Sequence, residues 1–333
     1  MDGPRAWAYE IAPQRMPMIM METALQIASD FRSHFPVIWG IASAFAGLMA
    51  LFVVIFCLEL VGGGNRRRYM TRNFVTDSLY MLFYLGGLHN KFLYVPLFAG
   101  VALVMPSWRL DLIGHLPAPL GFVVFLLVTD AIGYWIHRWQ HNNDFLWSFH
   151  SVHHSQTHVT FATNYRQHIA EPLITGFLTY VPLMLLGTPN WYWAPMAMLQ
   201  ILFDALKHSD LKWRYGRLYP IIVSPVFHGI HHSSERAQHD SNYGGILGVW
   251  DYLFGTMSVG ERPAVYGAPG IEGRDTFLGT CLAPFRQLNR MLRGKAVASV
   301  PRASVSDPSP LTPMHLTRQS PTSSGPSARI GPN

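Results

Sequence analysis

The sequence predicts an all-α integral membrane protein, with about four to five membrane helices and a cytosolic, histidine-rich helical cap holding a dimetal site. Three observations carry this expectation. The mean hydropathy is +0.15, with 49% hydrophobic and only 13% charged residues, which sets the 333-residue chain apart from ordinary soluble domains. Apolar runs of membrane-crossing length recur between polar loops. Histidines gather at helical spacings just beyond the ends of those runs.

Residues 1–35 mix charges and apolar side chains, and MPMIMMETALQIASDF suits an amphipathic helix lying on a membrane. Glu22 and Asp30 make it too polar to cross. Residues 36–61 form a long apolar stretch that exceeds the ~20 residues a crossing needs. Gly62, Gly63, Gly64 and Asn65 end that run, and Arg66, Arg67, Arg68 and Arg72 after it give a cytoplasmic signature. A second apolar region, 77–106, is notched by His89, Asn90 and Lys91. It reads as one net crossing, either a long tilted helix or a short helix followed by a spanning one. The weakly charged loop 107–117 belongs on the far side, and the run 120–135 returns and delivers His137 to the basic side. The runs 172–187 and 191–207 flank the turn Thr188-Pro189-Asn190 and read as a helical hairpin. Positive charge then places 65–75, 137–172 and 208–295 in the cytoplasm, with every histidine cluster among them. The expected division is a possibly interfacial segment 1–35, membrane helices over 36–119, a catalytic domain over 120–295, and a Ser/Pro/Thr-rich disordered tail over 296–333.

The chemistry lies in three patterns: His137 and His141 as HxxxH, His150, His153 and His154 as HSVHH, and His228, His231 and His232 as HGIHH. On a helix, positions i, i+3 and i+4 share a face, so each HxxHH is expected to point three imidazoles one way. Eight converging imidazoles are too many for one tetrahedral zinc and suit two nitrogen-accepting metals. The two cysteines, Cys57 and Cys281, support neither a disulfide framework nor a CxxC site. Asp130, Tyr134, His137 and His141 fall on one helical stripe, and Asp130 is expected to accept the second N–H of a ligand imidazole. The net charge of +6 is spread over several segments, which fits topology and lipid contact and not nucleic acid. The chain has no GxSxG motif and no glycine-rich dinucleotide fingerprint.

As a set, DAIGYWIHRWQH, HSVHH and HGIHH resemble the fatty acid hydroxylase / sterol desaturase superfamily of membrane non-haem di-iron oxygenases. The likeness extends to Asn164, Arg166, His168 and Glu171 in NYRQHIAEP, where Ile169 replaces a family proline. It continues through Asp240, Asn242, Tyr243, Gly244, Trp250 and Asp251 after the last histidine pair, and covers about residues 120–260. The resemblance implies a ninth ligand, His208, in LKHSD, with Asp210 in place of the usual asparagine. Asp204 stands where some relatives carry a further histidine, so a tenth ligand stays open, and Asp204 could coordinate or orient His208. His158, His168 and His239 are expected to hydrogen-bond near the metals, whereas His34, His89, His115 and His315 do no chemistry.

The implied activity is O2-dependent oxidation of an unactivated lipid C–H, in a sterol or fatty acyl chain, to an alcohol or a double bond. Two Fe2+ ions are the implied cofactors. Electrons would come ultimately from NAD(P)H through a separate cytochrome b5- or ferredoxin-type donor, because the HPGG signature of a fused haem domain is missing. The implied location is multi-pass in the plasma, inner or endoplasmic reticulum membrane, with the site on the cytoplasmic face. Competing readings are a metal transporter and a bis-histidine haem electron carrier, both of which need histidines within the spanning helices. A zinc hydrolase needs only three ligands and a carboxylate base. A lipid binder without activity would not need the full ligand set.

Overall fold

Prolines and capping side chains set where the helices begin. Helix α1, Pro36–Val61, starts on a proline and ends where the Gly62 N–H bonds back to the Leu58 carbonyl. Thr71 caps α2, Arg72–Leu85, by accepting from Phe74 N at 3.2 Å. Helix α3 is Val95–Val104, and α4, Ala118–Asn142, follows Pro117. Asn143 ends α4 and its side chain caps α5, Asp144–His150, by accepting from Leu146 N at 3.0 Å. Then come α6, Glu171–Leu185, and α7, Trp193–Lys207. Ser224 caps α8, Pro225–His231, and the chain continues through α9, Val249–Leu253, to α10, Phe277–Leu292.

This computed structural model describes residues 21–294 apart from 24–25, 27–28, 31, 63, 105–109, 269–270 and 272–274. Most of the segment 1–35 and all of the tail 296–333 lie outside the described residues. Those described contain no strand, only the isolated bridges Ile222–Leu247 and Ser233–Tyr266. The all-helical expectation holds.

Among the described residues one helix, α4, is long and apolar enough to cross a bilayer, with 25 residues and a hydropathy of 1.8. Its length is about 37 Å against a hydrocarbon thickness near 30 Å. The stretch Phe45–Val61 and α6 are apolar but shorter. The region 77–106 does not form one long helix. It breaks after α2 at Gly86 and Gly87, passes through a wide turn over Asn90–Tyr94, and resumes as the ten-residue α3. The reason is His89, whose buried imidazole bonds to the Ile169 carbonyl at 3.3 Å, so the polar notch folds inward. Helices α6 and α7 form the expected hairpin, each about 22 Å long and short of a full crossing.

Two apolar clusters position the site. Phe125 of α4, Leu183 of α6, and Tyr192 and Met196 at the start of α7 interlock with Ile113 and Ile246. Burying a side chain such as Phe125 stabilises the fold by about 1.5–3 kcal/mol. On the other side, Phe52 and Ile55 of α1 pack on Phe161, Ala162 and Ala205, and the Phe52 and Phe161 rings stack at 5.0 Å. Helix α10 closes over α2 and α5 through Tyr80–Thr280 at 2.9 Å and Ser151–Gln287 at 3.2 Å. The C-terminal ends of α4, α5, α7 and α8 thereby meet at one place.

Candidate metal centre

The nine histidines singled out in the sequence come together in two sets. His137, His141, His150, His154 and His231 offer five ligand nitrogens within 4.8 Å of one another, and His153, His208, His228 and His232 offer four within the same limit. The sets adjoin, with the His154 and His232 rings stacked at 4.5 Å. Each HxxHH motif divides its imidazoles between them, contrary to the expectation of one shared face. His150 and His154 go to the five-histidine set and His153 to the other, while His228 and His232 go to the four-histidine set and His231 across. Helix geometry explains the split, since i and i+4 differ by about 40° around the axis while i+3 lies about 60° to the other side. The first motif is also not one helix. It runs from the end of α5 into a separate tight turn at His153–Ser155.

The arrangement fits metal binding on its own chemistry. His208 donates its Nδ1–H to the Asp204 carbonyl at 2.7 Å, which leaves Nε2 as a lone pair. That atom faces His153 Nε2 at 3.2 Å and His228 Nε2 at 2.9 Å, and His228 Nε2 faces His232 Nε2 at 3.0 Å. In the other set, His137 Nε2 faces His150 Nε2 at 3.2 Å. Nitrogens sharing a cation at the usual ~2 Å bond lie roughly 3 Å apart. Seven further imidazole nitrogens, including both of His141 and Nε2 of His154 and His231, are buried without a hydrogen-bond partner. Such an orphan costs about 1–3 kcal/mol, and a metal can relieve it at a lone-pair nitrogen such as Nε2 of His154 or His231, though not at a nitrogen that carries the ring's N–H.

The electrostatics favour the binding form. Burial, reinforced by neighbouring imidazoles, pushes His153, His154, His228 and His232 well below the ordinary range, and it brings His231 down to about 3. His208 is lowered by burial and then by the adjacent Lys207 ammonium. Neutral imidazole is the form that ligates metals.

The orienting partners are mostly backbone. His137 Nδ1 donates to the Tyr243 carbonyl and His231 Nδ1 to the Ser241 carbonyl, both at 2.8 Å. These carbonyls are presented by a loop in which Asp240 and Asn242 adopt left-handed φ of 54° and 59°. Asn242 braces the loop by donating to the Phe227 and Ser258 carbonyls. Asp251 accepts from Tyr243 N, Gly244 N and the Thr256 hydroxyl at 2.7–2.8 Å, and burial raises its carboxyl to about 6. Glu171 is a carboxylate bonded to one of these imidazoles: its Oε1 accepts from His150 Nδ1 at 2.6 Å and from Gln140 Nε2 at 3.1 Å.

Other sequence candidates stand elsewhere. Asp130 does not orient an imidazole; it accepts from Ile246 N, Leu247 N and Trp250 Nε1 at 2.8–3.0 Å, pinning the 246–250 loop to α4. Tyr134 bonds to Thr256 and receives Arg138. The Asp204 carboxylate pairs with Lys207 at 2.6 Å, so Asp204 serves His208 through its carbonyl alone. Asp240 Oδ1 lies 3.7 Å from His141 Nδ1, and Asp240 and His239 line a small crevice beside the five-histidine set. His168 bonds to the Cys281 carbonyl of α10, and His158 to the carbonyl of its neighbour Thr157. Fully buried Arg166 bonds to Asp77 at 2.6 Å and Ser155 at 3.0 Å, which ties the His153–His154 turn to α2. Gly267 closes over the cluster. Its φ is +100°, and a Cβ there would lie 2.3 Å from the Gln156 carbonyl. Lys207 and the two loop carbonyls were not legible from residue types.

Residues 122–256 match the fatty acid hydroxylase family. The human alkylglycerol monooxygenase is 33% identical over 150 residues, covering 45% of this chain and 33% of that protein. An ornithine lipid hydroxylase of Rhizobium tropici is 34% identical over 176 residues, 52% of this chain and 53% of the relative. A methylsterol monooxygenase of Arabidopsis thaliana is 34% identical over 139 residues, 40% of this chain and 46% of the relative. The matched region thus spans between a third and about half of these relatives. No solved structure gives a significant match. The motif set and the converging histidines all lie within residues 122–256, the region over which this chain is similar to the fatty acid hydroxylase family.

Proposed function

We propose that this protein is a membrane-bound, O2-dependent hydroxylase or desaturase of a lipid, using two iron ions held by nine histidines. The observation that carries the reading is the pair of adjoining imidazole sets with ring nitrogens facing one another at 2.9–3.2 Å. His137, His141, His150, His154 and His231 would hold one ion, and His153, His208, His228 and His232 the other. Iron bound there as Fe2+ would supply O2 reduction and oxidation of an unactivated C–H bond. Five nitrogens exceed the four of a closed zinc site and favour a metal of higher coordination number.

The chain's own residues do the remaining work. Glu171 and the carbonyls of Tyr243, Asp204 and Ser241 fix four imidazole orientations, and burial keeps the ligands neutral. The names of the relatives, which cover alkylglycerol, ornithine lipid and methylsterol oxidation, support a lipid substrate. In this reading the catalytic domain is 120–295, preceded by membrane helices over 36–119, with the centre on the cytoplasmic face. Electrons come from a separate cytochrome b5- or ferredoxin-type protein and ultimately from NAD(P)H.

The test is metal analysis of the detergent-solubilised protein together with its visible spectrum. About two irons per chain and no haem Soret band are expected. A Soret band, or failure of iron reconstitution to give lipid oxidation with O2 and a donor, would overturn the proposal.

A further inference from the structure

Between α4, α6 and α7 lies a cavity of about 400 Å³. Its wall on α4 is the stripe Thr129, Gly133, Ile136 and Gln140, each one residue behind the stripe of Asp130, Tyr134, His137 and His141. Eleven residues of helix make the cavity about 16 Å long. Tyr180 and Trp193 line its far end, and Gln140, Pro172 and Thr175 its near end. There Gln140 donates to the Glu171 oxygen that also holds His150. The cavity therefore leads from the apolar body of the helices to the five-histidine set.

Its chemistry is selective. No Lys, Arg, Asp or Glu lines it. The Thr129 and Thr175 hydroxyls already donate, to the carbonyls of Phe125 at 2.6 Å and Glu171 at 3.0 Å, so they offer a guest only acceptor lone pairs. Just beyond, Glu171 Oε2 is buried without a hydrogen-bond partner. A carboxylate or phosphate would enter with no counter-charge in the lining, whereas an uncharged O–H or N–H finds acceptors in the Thr129 and Thr175 hydroxyls. Gly133 matters here. Glycine inside a helix weakens it relative to alanine, yet a Cβ at Gly133 would meet nothing within 4 Å. Packing does not require a glycine; what its missing side chain provides is room in the cavity.

We propose that this cavity binds a lipid with an uncharged, hydrogen-bond-donating head group, head toward Gln140, and that Gly133 sets its width. That this lipid is the substrate rests on the oxygenase reading; the binding itself does not.

The test uses the full-length protein in detergent, a diazirine-bearing hexadecanol as photoprobe, and peptide mapping, with metal content measured in parallel. Labelling is expected on α4, α6 and α7. Unlabelled hexadecanol should compete at least about tenfold better than palmitate, which has the same chain and a charge. Gly133→Phe should cut labelling at least about tenfold while Gly133→Ala stays near the parent level. Ala197→Phe, which plugs the cavity from exposed α7, should reproduce the loss if Gly133→Phe disturbs the fold. Equal competition by palmitate, or undiminished labelling in both phenylalanine variants, would overturn the proposal. Labelling needs no turnover, so selective labelling of a protein that binds no iron would count against the oxygenase reading alone.

Discussion

Glu171 offers the most exacting test of the centre. Its Oε1 receives His150 Nδ1 at 2.6 Å and Gln140 Nε2 at 3.1 Å, and both its carboxyl and the imidazole are buried. A hydrogen bond to a charged group is worth about 1.5–3 kcal/mol, which at 1.4 kcal/mol per decade is about 10- to 100-fold in metal affinity. Glu171→Gln keeps an amide oxygen for His150 and loses the charge, so it should fall at the lower end. Glu171→Ala frees the imidazole and leaves Gln140 unpaired, so it should reach the upper end. Glu171 touches the five-histidine set only, so a graded chelator titration read by elemental analysis should show one metal leaving early and the other at the parent concentration. Metal retention by Glu171→Ala equal to that of the parent would refute the reasoning. So would simultaneous loss of both metals from a protein that circular dichroism shows to be folded.

Further outcomes follow from the same geometry. Asp251→Ala strands the buried Tyr243 and Gly244 N–H groups, so stability should fall by about 2–5 kcal/mol, seen as a lowered thermal midpoint. Arg166→Ala leaves Asp77 an uncompensated buried charge and should cost about 3–5 kcal/mol, with partial rescue by a second change, Asp77→Asn. His153→Ala should abolish lipid oxidation while membrane insertion persists; retained turnover would sink the ligand assignment. Acid should destabilise the metal-free protein. His231 is lowered from 6.5 to about 3 in the fold, so the unfolded chain takes up the proton first. Stability is therefore full above pH 6.5 and declines as pH falls toward 3, in a melting series at stepped pH.

Most of the centre was legible because imidazole identity and spacing are written in residue types. All nine histidines come together, and the i, i+4 pairs His137/His141, His150/His154 and His228/His232 each share a set. The exchange of His153 and His231 between sets was hidden, because it depends on how the turn after α5 and helix α8 face each other. Asp130 misled for a related reason: a carboxylate on the ligand stripe suggests a histidine partner, but loop N–H groups and the Trp250 indole reach it instead. The carbonyls that orient His137, His208 and His231 carry no side-chain signature at all. The form of the 77–106 run stayed open between one long helix and two, since hydropathy sees composition and not the inward fold at His89.

The left-handed loop has a consequence for which substitutions the protein can absorb. Ser241 and Tyr243 serve the imidazoles through main-chain oxygens, so the side chains at these two positions are not what holds His231 and His137 in place. The burden falls on their neighbours. Asp240 and Asn242 must tolerate positive φ, and a β-branched residue at either would swing the following carbonyl away from its ring. A saturation scan should therefore show alternating sensitivity along 240–243, with Asn, Asp and Gly accepted at 240 and only Asn at 242, whose buried amide also bonds to Phe227 and Ser258. Drift in sequence at the residues nearest the metals would then coexist with a fixed ligand geometry.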